Sequence, residues 1–138
     1  MMEKKVIKTS KAPASALPIS KAIQWGNLVF TSGVTARDPQ TGQFVGGNIE
    51  EQTERVILNL KTILEAAGSS LDKVVKATVF LTDVRDFEGM NKVYRKFFPT
   101  DPPARSTVEV SKLTIDGRVE VEMIAGVYEV PEKGSILG

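Results

Sequence analysis

Apolar and polar positions divide the chain into segments of two different periods. Ala22 to Trp25 and Leu28 to Ser32 are short β-prone runs separated by Gly26-Asn27, a turn signal. A stretch rich in turn residues follows, from Arg37-Asp38-Pro39 to Gly46-Gly47. The period then lengthens. Ile49, Val56, Ile57, Leu60, Ile63, Leu64 and Ala67 recur at helical spacing, with Glu50, Glu54, Arg55 and Lys61 on the other side. Asn48 with Glu51 three residues on has the form of a capping box, and Gly68 supplies the stop. Val74 to Leu81 is rich in β-branched residues and predicts a strand. Asp83 or Asp86 opens a second helix, whose apolar stripe is Phe87, Met90, Tyr94, Phe97 and Phe98 and which Pro99 ends. Arg105 to Val110 and Val119 to Val127 are the last two strands. In the latter, Val119, Val121, Met123, Ala125 and Val127 alternate with Glu120, Glu122, Ile124 and Gly126.

The order β-β-α-β-α-β-β predicts an α+β fold with both helices on one face of a mixed sheet. Val74 to Leu81 reads as apolar on both sides, so both faces of that strand want cover. Two helices cover only one face, and packing of the open faces of several copies is the plainest way to cover the other.

Composition narrows the chemistry more than the fold. The 138 residues suit a single domain spanning 1–138, with 18 Lys plus Arg against 17 Asp plus Glu. There is no cysteine and no histidine, which removes disulfides, thiolate nucleophiles, Ser-His-Asp triads and zinc-finger chemistry. A net charge of +1 gives no general attraction to nucleic acid or anionic membranes. No run of about 18 apolar residues is present to span a bilayer. The N-terminal stretch, with Lys4, Lys5, Lys8 and Lys11 but no apolar core, lacks the pattern of a secretory signal, so a cytoplasmic protein with a short extended N-terminus is expected. Phosphate-cradling glycine motifs are missing too, so no nucleotide cofactor is expected.

Catalysis must therefore come from carboxylates, Arg, Lys, Tyr, hydroxyls, backbone groups or water. Arg105 follows the stiff segment Asp101-Pro102-Pro103-Ala104 and opens a strand that otherwise reads as buried. A guanidinium there can take a carboxylate in bidentate fashion, or it can pair with Glu109 or Glu120 as a structural salt bridge. Glu120 and Glu122 share one strand face and can handle a water, or simply solubilise an exposed face. With no third clustered ligand, the pair identifies no metal site. Thr31, Ser32 and Gly33 end a strand and can present hydroxyl or backbone groups, or merely form a turn. Tyr94 falls within a helical apolar stripe and reads as core.

Pro103-Ala104-Arg105-Ser106, continued by Val108 and Val119-Glu120, resembles the RidA/YjgF (reactive intermediate deaminase) family. The likeness runs through Ala12-Pro13, Thr31-Ser32-Gly33, Asp38-Pro39 with Thr41-Gly42, Gln52-Thr53, Asn59-Leu60-Lys61 and Leu64 to Gly68. It continues through Val74 to Asp83, Asn91 with Val93-Tyr94, and Phe97-Phe98-Pro99. The resemblance implies a chorismate-mutase-like α+β fold: a mixed six-stranded sheet with two helices on one face, assembled as a homotrimer with clefts between subunits. It implies hydrolysis of enamines and imines such as 2-aminoacrylate to 2-oxo acids and ammonia, without cofactor or metal. In that scheme Arg105 clamps the substrate carboxylate and Glu120 positions the attacking water. Ser32, Gly33, Thr107 and Ile19 line the substrate. The implied partners are a small imine or 2-oxo acid and further copies of the chain, with neither nucleic acid nor membrane.

Three positions depart from the family pattern. Leu17-Pro18-Ile19 stands where deaminating members usually carry Gly-Pro-Tyr, so Ile19 replaces the cleft tyrosine. Thr107 stands where Cys is frequent, and Lys21 where Gln is usual. The loss of the tyrosine leaves a second expectation open, a non-catalytic trimer that binds small carboxylates in a regulatory role. A ribonuclease role, also attributed within the family, gains no support from the near-zero charge and the missing histidine.

Overall fold

Six strands and two helices follow one another in a computed structural model that describes residues 2–12 and 15–127. The strands are β1 (Lys5–Ile7), β2 (Ala22–Trp25), β3 (Leu28–Thr31), β4 (Val74–Leu81), β5 (Ala104–Glu109) and β6 (Val119–Gly126). The helices are α1 (Ile49–Ala66) and α2 (Phe87–Phe97). They form one mixed sheet of order β1-β2-β3-β6-β4-β5. Every neighbouring pair is antiparallel except β4 and β5, which run parallel because α2 carries the chain back across. This is the α+β plan read from periodicity, with β1 added. Three residues with only Ile7 buried are too short to show alternation, so β1 was hidden in what reads as an extended N-terminus. Pro13, placed at the entry to the fold, lies outside the described residues.

The helices form where the apolar stripe demands them. In α1 all the stripe residues named above from Ile49 to Leu64 are buried, and Asn48 and Glu51 complete a reciprocal capping box. Gly68, at φ +79°, ends it by entering the left-handed region, where a side chain would be strained. Asp83 caps a single 3₁₀ turn, Val84–Asp86, by accepting the Arg85 N–H, and α2 starts one turn later than Asp83 implies. Both helices pack on the face carrying Ala77, Val79 and Leu81 of β4 and Val119, Val121, Met123 and Ala125 of β6, all buried.

Two expectations about strand burial are corrected. Strand β4 is not apolar on both sides. Its register shifts between Val74 and Lys76, a bulge that leaves Val75 exposed and puts Lys76, Thr78 and Phe80 on the open face. Strand β5 is not buried either. It is the sheet's edge, and Ala104, Ser106, Val108 and Glu109 are all exposed. The open face still carries apolar residues: Leu28, Phe30 and Val108 are exposed, and Phe80 and Ile124 half-buried. Among the described residues no helix is long and apolar enough to cross a membrane.

Candidate active site

The sheet register separates the candidate residues into two groups. Arg105 pairs with Ala77 and Thr107 with Val79, so both side chains project to the helix-covered face. Glu120 pairs with Phe80, and with Glu122 it projects to the open face. Arg105 and Glu120 are separated by two strand spacings and three residues along the sheet, about 10 Å in each direction, before their side chains diverge. One chain does not bring them together.

The first group is a cationic edge. The Arg105 guanidinium lies over the Tyr94 ring at 4.6 Å and near the Phe87 ring at 5.7 Å, with Nη1 3.9 Å from Met90 Sδ. Stacking on an aromatic face fixes the plane of a guanidinium while leaving its N–H edges available. Neither expected carboxylate pairs with it. Glu109 instead accepts the Val84 N–H at 2.8 Å, and Glu120 lies across the sheet. Two residues along, Thr107 Oγ1 is buried without a hydrogen-bond partner, an arrangement that is costly unless a ligand or another chain supplies one. Tyr94 is buried as its stripe predicts. Desolvation pushes its phenol pKa up, against the opposing pull of Arg105.

The second group lines a cleft of about 430 Å³, with Ile19, Ser32, Gly33 and Glu120 all in its wall. Gly33 precedes a bridge in which Val34 N–H donates to Val121 O at 2.8 Å, and this draws it against the glutamate. A Cβ on Gly33 would lie 2.9 Å from Glu120 Cδ, so only glycine leaves the carboxylate this close to the backbone. Burial raises the Glu120 pKa above its ordinary 4.5, and repulsion from Glu122 adds to the rise. Ser32 Oγ donates to Ser20 O at 2.6 Å, and Ser32 N–H donates to Lys21 O. The serine therefore ties down the segment that carries Ile19, a structural part that residue type alone did not reveal. Thr31 Oγ1 likewise accepts the Met123 N–H. Lys21, named above only as a departure from the family pattern, and Arg37, which the sequence did not single out, also line the cleft. No group of three or more acidic side chains able to hold a metal occurs among the described residues.

An open mixed sheet backed by two helices, with a stacked guanidinium on its edge and a half-buried carboxylate in a cleft, defines a small α+β domain with two charged candidate groups. The comparisons with known proteins say which kind. A family described as endoribonuclease L-PSP matches residues 9–127, and the chain belongs to this family, the RidA/YjgF family. It is 52% identical to a RutC family protein of Pyrococcus abyssi, over 90% of this chain and 98% of that one. It is 42% identical to the 2-iminobutanoate/2-iminopropanoate deaminase of Bos taurus, over 88% and 89%. A crystal structure of E. coli TdcF with bound serine superposes with a TM-score of 0.84 at 38% identity, covering 90% of this chain and 99% of that one. The names of such relatives place imine deamination in this family.

Proposed function

We propose that this protein hydrolyses small 2-imino acids, and their enamine tautomers such as 2-aminoacrylate, to 2-oxo acids and ammonia. The observation that carries this reading is the Arg105 guanidinium, oriented by Tyr94 and paired with no carboxylate among the described residues. Such a group fits a substrate carboxylate in bidentate geometry. Thr107 Oγ1 offers the adjacent hydrogen bond. Serine, bound in the TdcF structure, has the α-carboxylate and α-nitrogen layout of a 2-imino acid.

The chemistry needs little more than orientation. Water adds to C2 of the C=N bond as its proton passes to the Glu120 carboxylate, and the nitrogen takes up a proton. The carbinolamine then collapses: C2=O forms, the C–N bond breaks, and ammonia leaves. A carboxyl whose pKa lies above the ordinary range is a stronger base when charged and holds its proton to higher pH, which suits both transfers.

Because Arg105 and Glu120 face opposite sides of one sheet, the reading requires a second copy. Arg105 of one chain is to meet the Glu120 cleft of the next, in a homotrimer built on the exposed residues Leu28, Phe30 and Val108 of the open faces. Sedimentation as a monomer at micromolar concentration would overturn this assembly.

The direct test generates imines in situ by oxidising amino acids and follows their loss with wild type, Arg105→Ala and Ile19→Tyr. Wild type should accelerate hydrolysis and Arg105→Ala should not; equal inertness across several imino acids sinks the reading. Gly33→Ala must push the Glu120 side chain aside, so kcat/KM should fall about 10–100-fold with thermal stability little changed. A second reading, a carboxylate-binding trimer without catalysis, is favoured by the aliphatic Ile19 at the cleft rim. Calorimetry with 2-oxobutyrate tests it, and absence of binding to wild type removes it.

A further inference from the structure

The Glu120 cleft has a feature that hydrolysis of the smallest imines does not use. Leu17 and Ile19 line it, yet 64% and 57% of their surfaces remain exposed. Two large aliphatic side chains so open to water on a short segment gain nothing for the fold. The segment is nevertheless built to hold them in place. Leu17 N–H donates to Ser15 Oγ at 3.1 Å, and Ile19 N–H donates to Leu17 O at 2.7 Å, a tight turn about Pro18 that the ring's fixed φ favours. Ser20 O is then fastened to Ser32 Oγ at 2.6 Å, on the residue beside Gly33. The two side chains are therefore positioned relative to Glu120 rather than left on a loose tail. Val34 and Ile63 extend the apolar lining.

We propose that Leu17 and Ile19 form a side-chain subsite through which the cleft prefers 2-imino acids bearing a branched or long apolar side chain over three- and four-carbon ones. This rests on the hydrolytic reading and specifies its substrate class. A three-carbon imine held by its carboxylate, with C2 near the Glu120 water, has one terminal carbon and cannot cover both residues. A six-carbon branched imine can bury its alkyl end against them. Such compounds arise wherever the Cα–H and N–H of an apolar amino acid are oxidised, so an amino-acid-oxidising reaction is the class of step that must supply them. Apolar pockets discriminate by roughly 10–200-fold for one methylene where enclosure is full. For this half-open rim about tenfold over three carbons is expected.

The experiment compares imines made in situ from leucine and from alanine by an amino-acid oxidase, with semicarbazide trapping of the remaining imine as readout. Wild type should show a kcat/KM for the leucine imine about tenfold above that for the alanine imine. The ratio should fall towards one in Leu17→Ser and further in Leu17→Ser/Ile19→Ser, carried mainly by KM. Both side chains are largely exposed within one chain, so these variants should fold as wild type does, and their sedimentation should match that of wild type. A wild-type ratio near one, or one the substitutions leave unmoved, overturns the subsite. If wild type hydrolyses neither imine, the catalytic reading has failed by itself. The subsite is then decided by calorimetry with 4-methyl-2-oxopentanoate against pyruvate: about tenfold tighter binding of the former supports it, and equal binding overturns it.

Discussion

Mixing Arg105→Ala and Glu120→Gln chains should restore imine hydrolysis that neither variant shows alone. Each substitution removes one of the two groups, and the sheet register puts those groups on opposite faces of a single chain. Loss of Arg105 leaves the substrate carboxylate without its charge-assisted partner, about 2–5 kcal/mol, or about 30- to 5,000-fold in kcat/KM. If each site draws its arginine from one copy and its glutamate from the next, random reassembly of equal amounts leaves both groups intact in about a quarter of sites. The two variants, refolded together or co-expressed, should therefore recover about a quarter of wild-type activity. Recovery that stays at the level of the separate variants would mean that one chain assembles its own site.

That prediction depends on information that periodicity carries only in part. The alternation of Val119 to Val127 correctly placed Glu120 and Glu122 on the face opposite Val121 and Met123, because a strand's period of two leaves no other choice. Helix α1 was legible for the same kind of reason, with its cap, stripe and stop agreeing. Three residues at β1 are too few to establish a period, so that strand was not. The bulge at Val75 inverts the face of every later residue in β4, and no local residue announces it. Arg105 stood out by type, but the edge position of β5 is set by pairing with distant β4 and by the return through α2. Hence the strand read as buried, and the aromatic support from Phe87 and Tyr94 was not visible as a unit. Ser32 was legible as a candidate but not as the fastening of the Ile19 segment, since Ser20 O lies 12 residues away in sequence. The resemblance to deaminases carried the roles proposed for Arg105 and Glu120, and the sheet register adds that the two side chains lie on opposite faces of one chain.

The pH dependence of hydrolysis should show which carboxylate handles the water, and Glu122 is the lever. Glu120 has its pKa raised first by burial and then by the charge of Glu122. As a base it acts when ionised, so kcat/KM should rise with pH along an acidic limb that burial and Glu122 push up and a neighbouring copy's guanidinium pulls down. Glu120→Gln abolishes that limb and costs about 10²–10⁴-fold in rate, the usual worth of a positioned general base. Glu122→Gln keeps the base but removes its repulsive neighbour, so the limb should move to lower pH. Lys21 and Arg37 also face this cleft and remain unchanged in both variants. A limb that ignores Glu122→Gln but disappears in Glu120→Gln assigns the shift to burial alone. A limb that survives Glu120→Gln removes Glu120 from the proton transfer. The same shift has a consequence for folding, because a carboxyl whose folded pKa exceeds its unfolded one binds more protons when folded. Its contribution to stability is therefore greatest below the ordinary value and declines as pH rises towards the raised one. In the Arg105→Ala protein, where no guanidinium from a neighbouring copy faces the cleft, adding Glu120→Gln should raise Tm at pH 7 and leave it nearly unchanged below pH ~4, where the carboxyl is protonated in either state.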